Sequence, residues 1–266
     1  MEKLQVLLVT MHQTDFSILE KLNYRGSIVI ANQADREQIE TRGQAKMITT
    51  ATRGVGLNRN IALLAADGDI LLLADDDMRY NDGMEEAVLA AFRENPQADA
   101  LIFGLDIVRG GEVTERRRLK NKRLRFWNSM RYGAVRIAVR RKALLDNNIL
   151  FHQRFGGGCP FSAGEDSLFL KACFDAGLKI YGHEYALGQC CKDSSSWFVG
   201  YNEKYFYDKG VLVRRLFPVL WPVMGLYFAL NFKRETQISP LRRLRLVYAG
   251  IRGGKTMKVY EEAADR

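Results

Sequence analysis

Residues 67–80 read DGDILLLADDDMRY. The apolar run 70–74 is the length of one buried strand, and it enters three consecutive carboxylates, Asp75, Asp76 and Asp77. Like charges this close raise one another's pKa unless something positive sits among them. Alternation along an extended chain puts Asp75 and Asp77 on one side and Asp76 on the other. Two hard oxygen donors on one side suit Mg²⁺ or Mn²⁺, which bind through one or two carboxylates and fill the remaining positions with water and phosphate oxygens. A bare acidic triplet is also ordinary turn chemistry ahead of a helix. Its place at the end of a buried-type strand, on a rigid edge, favours the metal.

Working outward, β-type runs at 5–9, 27–31, 46–49, 70–74 and 101–105 alternate with helical patterns at 15–22, 56–66 and 83–94. That alternation predicts an α/β fold, a mostly parallel sheet flanked by helices with a Rossmann-like N-terminal half. In such sheets ligands bind beyond the carboxyl ends of the strands, where Thr10, Asn32 and Asp75 to Asp77 fall. Asp82 is expected to cap the helix after the triplet, and Pro96 to follow its end. Beyond a strand near 134–139, FGGGCPFSAGEDSLFLKACFDAGLKIYG (155–182) carries three glycines that let backbone approach a ligand, then Glu165 and Asp166 before a helix at 167–176. Asp166 sits where an N-cap belongs; the helix dipole would keep it ionised and able to accept a proton from a hydroxyl.

Net charge is +9, which draws the chain toward polyanions: nucleic acid, anionic lipid or a diphosphate. A basic stretch, 110–125, reads equally as a solvated hairpin and as a substrate-facing patch. The N-terminal apolar run is too short for a signal peptide, so a cytoplasmic location is expected. The cysteines Cys159, Cys173, Cys190 and Cys191 are expected as free thiols, with zinc held by Cys159, Cys190, Cys191 and His183 a poor alternative. Residues 216–232, LFPVLWPVMGLYFALNF, are seventeen without a charge, between basic flanks. Pro218, Pro222 and Gly225 interrupt the helix that a membrane span would need. The segment therefore reads as a broken helix that either covers the core or lies at the inner face of the plasma membrane, its aromatics among headgroups and its basic flanks on anionic lipid. On this reading residues 1–210 form one α/β domain and 211–266 a helical, amphipathic tail.

The order of RGVGLNRNIALLAADGDILLLADDD (53–77) and GEDSLFLKACFDAGLKI (164–180) resembles glycosyltransferase family 2 with the GT-A fold. SSSWFVGYNEKYFYDKG (194–210) is similar to a segment of its small bacterial members that build capsular or exopolysaccharide chains. The resemblance implies a DxD metal motif at Asp75, Asp76 and Asp77, with Asp75 and Asp77 as metal ligands, and an ED motif whose Asp166 is the catalytic base. It also implies nucleotide contacts at Thr10, Asn32, Arg53, Asp75 and Asp76. Asn32 and Gln33 stand where relatives often carry an acidic residue for the base, and His183 is the sole histidine after the ED motif.

The activity implied is inverting, metal-dependent transfer from a UDP-linked sugar to a lipid-linked or saccharide acceptor in cell-surface polysaccharide synthesis, with a homodimer one admissible form. A sugar nucleotidyltransferase is the rival enzyme, but TMHQTDFS (10–17) is no glycine-rich phosphate loop. A non-catalytic membrane or nucleic-acid binding module is the rival from another class. Nucleic acid is disfavoured as a partner, because the triplet repels phosphate unless metal is present.

Overall fold

A computed structural model of the chain describes residues 2–192, 200–232 and 234–260, so residues 194–199 of the stretch 194–210 lie outside the described residues. In chain order the elements are β1 (Leu4–Met11), α1 (Ile18–Leu22), β2 (Ile28–Gln33), β3 (Gln38–Arg42), β4 (Ala45–Thr50), α2 (Val55–Leu64) and β5 (Ile70–Asp75). There follow β6 (Met78–Tyr80), α3 (Met84–Glu94), β7 (Ala100–Arg109), β8 (Glu112–Arg117), β9 (Lys122–Arg123) and α4 (Phe126–Ser129). The chain then forms β10 (Ile137–Arg140), α5 (Arg141–Asp146), α6 (Glu165–Asp175) and β11 (Ile180–Cys191), and closes with α7 (Glu203–Leu216), α8 (Trp221–Leu230) and α9 (Pro240–Gly253).

The strands join one mixed sheet in the order β3-β4-β2-β1-β5-β10-β7-β11-β6, with β8 on β7 and β9 on β11. Four strands, β4, β2, β1 and β5, run parallel. Antiparallel β10 separates β5 from β7, and β7 and β11 pair parallel again. Each central strand is buried on both faces. Along β1, Leu4, Val6 and Leu8 enter one core, while Leu7 and Val9 enter the other. Apolar residues with no polar alternation are what a doubly covered parallel strand requires. Helix α1 packs into the first core through Ile18 and Leu22, and α2 into the second through Ala62 and Leu63. Helices on opposite faces leave a crevice at the carboxyl ends of β1 and β5.

Several boundaries differ from the sequence pattern for local reasons. Asp15 accepts from the Ser17 amide at 2.8 Å, holding a turn, so α1 starts at Ile18. Asp82 does not cap α3: Gly83 occupies that position, and Asp82 accepts from Asn23 Nδ2 at 2.9 Å. Asp166 likewise does not cap α6, whose N-cap is Gly164, and Glu165 and Asp166 form its first turn. The basic stretch is a hairpin and strand, with β8 exposed along β7.

The tail is helical and packs around a third core, in which Phe206, Val211, Val213, Leu246, Val247 and Ile251 join Phe155 and Phe161 from the segment before α6. Position 210 falls within α7, so the chain passes the expected domain boundary inside one helix. Gly210 faces the Val247 carbonyl and Gly250 the Tyr207 carbonyl so closely that a Cβ at either would overlap the oxygen. Helix α8 buries Gly225 and Ala229 and exposes Val223, Leu226, Tyr227 and Leu230. One face covers the core and the other is bare. No helix among the described residues is long and apolar enough to cross a membrane.

The glycine contact between α7 and α9 gives a direct test. Gly250→Val is expected to lower stability by at least about 2 kcal/mol, because backbone must separate to admit the side chain. Urea unfolding followed by circular dichroism measures it, and an unchanged midpoint would contradict the packing described.

Candidate active site

Four elements meet at the crevice. Strand β1 delivers Thr10, β5 delivers Asp75, α2 delivers Asn58 and Arg59, and the first turn of α6 delivers Glu165 and Asp166. Asn58 Nδ2 donates to the Ala31 carbonyl at 2.8 Å and to the Thr10 carbonyl at 3.3 Å, fixing α2 across the ends of β2 and β1. Asn60 exchanges hydrogen bonds with the Phe151 backbone at 2.7 and 2.9 Å, which ties the same helix to the segment leading to α6.

Arg59 stands between these tethers with only 5% of its side chain exposed. One terminal nitrogen donates to Asp75 Oδ1 at 2.9 Å; the other donates to Asp166 Oδ1 at 2.9 Å and Glu165 Oε1 at 3.1 Å. The guanidinium also lies over the Phe151 ring, 5.3 Å from its centroid. A planar fork with fixed donors can hold carboxylates from two elements at once, which a lysine ammonium does less well. Burial pushes the Arg59 pKa down, but Asp75, Asp166 and Glu165 outweigh it and raise it overall.

The triplet does not continue as an extended strand. Asp76 and Asp77 form a turn into β6, so the expected alternation fails and all three carboxylates line one cavity of about 750 Å³. Asp76 Oδ2 accepts from the Thr10 hydroxyl at 2.7 Å. Asp77 Oδ2 accepts from the Cys190 thiol at 3.2 Å, and its backbone carbonyl accepts from the Cys191 amide at 2.8 Å. Burial, then the Asp75 charge, raises the Asp77 pKa, while Cys190 and Lys192 oppose the rise. Arg109 and Lys192, at the ends of β7 and β11, complete the cavity with positive charge.

For a divalent cation the donor set fits through Asp77. Its Oδ1 is buried without a hydrogen-bond partner, an orphaned hard donor of the type Mg²⁺ or Mn²⁺ uses alongside phosphate oxygens. Arg59 engages one oxygen of Asp75. Among the described residues no group of three or more His, Cys, Asp or Glu is gathered about one point, so the substrate's oxygens would have to complete the shell. His183 packs against Phe103 at a centroid distance of 5.3 Å, a core contact.

Asp166 departs from the expectation of an ordinary ionised carboxylate. Although 27% of its side chain is exposed, burial raises its pKa, to about 7, reinforced by Glu165 and Asp75 and opposed by Arg59. Its proton affinity therefore falls in the range of a general base near neutrality.

Other expected residues are placed differently. Asn32 is fully buried and structural: it accepts from the Gln13 amide at 3.0 Å and donates to Thr49 Oγ1 at 3.1 Å. Arg53 pairs with Asp35 at 3.0 Å, and neither Asn32 nor Arg53 lines the cavity. Gly156 admits Val55 and Glu165 against its backbone, and the Gly157 carbonyl accepts from the Val55 amide at 2.9 Å. The glycines thus serve close packing around α2, with Gly157 alone reaching the cavity. Arg59 is a site residue to which the acidic motifs do not point. Its signal was an arginine at i+4 from Val55 and i−3 from Ala62, on the apolar face of a helix, where a charge demands buried partners.

Arg59→Gln leaves three carboxylates facing one another without a cation. It is expected to cost about 3 kcal/mol of stability at neutral pH, with Arg59→Lys losing less. Denaturant titration of both variants checks this, and equal stability to the parent chain would contradict it.

Residues 26–153 match the model of Glycosyl transferase family 2. No curated protein matches the chain. Among solved structures, S. aureus TarS 1-349 in complex with UDP-GlcNAc is similar over 98% of this chain and 77% of its own, at 17% identity and a TM-score of 0.60. The same TarS fragment with UDP covers 98% and 76%, at 19% identity and a TM-score of 0.56. Against the longer TarS structure this chain spans 43% of that protein, at 18% identity and a TM-score of 0.55. At such identities the likeness is one of fold, and the fold is GT-A. Residues 26–153, just under half of the chain, thus carry the match to glycosyltransferase family 2, within a GT-A fold that extends over nearly the whole chain.

Proposed function

We propose that the chain transfers one sugar, with inversion, from a UDP-linked donor to a lipid-linked or saccharide acceptor in cell-surface polysaccharide synthesis, as capsular-type members of the family do. The observation that carries this reading is the Arg59 bridge, which joins donor-side Asp75 and Glu165, both lining one cavity, to base-side Asp166. TarS, solved with UDP-GlcNAc and with UDP, supports UDP as the carrier.

Asp77, with Asp75 beside it, would hold Mg²⁺ or Mn²⁺. Such an ion, when bound, neutralises charge on a departing diphosphate. Arg109 and Lys192 line the same cavity and would add positive charge for that diphosphate. Thr10, His12 and Gln33 line the end of β1 and β2, where the nucleoside is assigned. Asp166 takes the proton of the acceptor hydroxyl as that oxygen bonds to the anomeric carbon. The bond from that carbon to the diphosphate breaks on the opposite side, so one displacement inverts the centre. Arg59 positions Asp166 and favours its ionised form.

The bare face of α8, with Val223 66% exposed beside Leu226, Tyr227 and Leu230, supports contact with a membrane surface. Arg214, whose guanidinium lies over the Trp221 ring at the start of α8, suits anionic lipid.

Calorimetric titration with UDP, GDP and dTDP, each with and without Mn²⁺, tests the donor assignment. UDP is expected to bind tightly only with metal. Asp77→Ala should abolish the metal-dependent part, and Asp166→Asn should leave UDP affinity near that of the parent chain while removing turnover. Full transfer by Asp166→Asn would refute the base.

The rate should also report Asp166. Because the ionised carboxylate is the active form, kcat/KM is expected to rise with pH through about 7. Arg59→Gln, which removes the opposing cation, should move that limb to higher pH, and Arg59→Lys should return it. A limb near pH 4 in the parent enzyme would contradict the account.

A further inference from the structure

A second cavity, of about 370 Å³, lies between α4, α6, α7 and α8. Its relation to the first is set by three consecutive residues. Glu165 lines the larger cavity and Ser167 the smaller, and Asp166 is the residue between them in the first turn of α6. Ser167 is fixed there by donating to the Met130 carbonyl at 3.4 Å.

The lining is mainly apolar, with Trp127, Leu212, Leu216, Phe217 and Phe228 contributing. Trp127 and Phe217 are stacked, with centroids 5.4 Å apart and planes 13° from parallel. Into this wall project two cations, Lys209 and Arg131, and no acidic residue. Lys209 has no hydrogen bond or ion pair to any described residue. Its ammonium lies 5.2 Å from the Phe228 ring centroid, and burial lowers its pKa. A partly dehydrated ammonium without a carboxylate is costly to keep, and an anion from outside would relieve that cost. Arg131 is exposed at its position, and its one hydrogen bond among the described residues is to its neighbour Tyr132, with Nη2 3.4 Å from the hydroxyl.

The cavity also has a continuation. Helix α8 supplies Phe228 to the lining and, on its bare side, Val223, Leu226, Tyr227 and Leu230. The helix that walls the cavity thus also carries exposed apolar surface of the kind an acyl or prenyl chain covers.

We infer that this cavity receives the phosphate head of an amphiphilic acceptor, with Lys209 and Arg131 on the phosphate and the acceptor's apolar chain running over α8. The acceptor role rests on the assignment of Asp166 as the base, since Ser167 of the lining follows Asp166 directly in α6 and an acceptor hydroxyl held beside the cavity would lie next to that turn. Two cations without an acid supply the charge complementarity, and the aromatic wall and α8 face supply the match to a chain. A volume of this size accommodates a head group and the first part of the chain rather than a polymer.

The test is calorimetric, with dodecyl phosphate below its micelle concentration as probe, in the presence of UDP and Mn²⁺. Inorganic phosphate and dodecyl maltoside serve as controls for the anion alone and the chain alone. Saturable binding of dodecyl phosphate is expected, with neither control matching it. Lys209→Leu should weaken it by at least about tenfold, the loss of one charge-assisted contact. Arg131→Gln, a change at an exposed residue that leaves folding intact, should weaken it severalfold. Metal-dependent UDP binding should be the same in both variants as in the parent chain.

Equal affinity for dodecyl phosphate in the parent chain and both variants would overturn the inference, as would no binding at all. Inorganic phosphate binding as tightly as dodecyl phosphate would also overturn it, leaving an anion site with no chain. Failure of UDP to bind, with dodecyl phosphate behaving as expected, would uphold the lipid-phosphate site and overturn its acceptor role. The two readings thus fail separately.

Discussion

Carboxylates gathered at the end of a buried strand repel one another, and the low dielectric of a sheet edge magnifies that repulsion. Here the repulsion is met by Arg59, nearly buried, which reaches Asp75 on the sheet and Glu165 and Asp166 on α6. Much of the local architecture can be traced to holding that side chain in place. Asn58 and Asn60 pin its helix, Phe151 lies under its guanidinium, and the glycines before α6 let Val55 and Glu165 approach. Remove the cation and the fold keeps three negative groups with nothing between them. A single interaction therefore links the stability of the crevice to the arrangement of its chemistry.

The α/β pattern was legible because buried strands such as 5–9 and 70–74 are continuous apolar runs bounded by turns, and tertiary packing agrees with that local signal. The edges were not. Strand β3, QIETR, exposes Ile39 and carries no apolar alternation, so its pairing with β4 is a matter of context rather than composition. The site was legible as a set of acids but not as a geometry. Asp75, Glu165 and Asp166 are legible as motif residues, whereas their common partner Arg59 lies in a helix of apolar neighbours. Asn32 shows the reverse case: its place at a strand end looked like ligand chemistry, yet its amide is consumed by Gln13 and Thr49. A polar residue at the mouth of a sheet must first satisfy its own buried groups, and only the surplus is free for a ligand.

The helices after the sheet carry a separate logic. Gly210 and Gly250 let α7 and α9 approach at backbone distance, which frees α8 to cover the module with its small residues and leave its large ones outside. Seventeen uncharged residues thus serve the core and a bare surface at once, because a helix has two faces. The same module walls the second cavity against α6, so the part of the chain beyond the sheet is built into the surroundings of Asp166.

The central claim is that one base, Asp166, and a donor held against Asp75 to Asp77 face each other across a single displacement, with no enzyme nucleophile in between. The most direct measurement is the anomeric configuration of the new linkage, read from proton NMR coupling constants of the product made from a UDP-sugar of known configuration. The account expects inversion at the transferred carbon. Retention would contradict it, because retention requires a second displacement or a front-side path in which Asp166 is not the base.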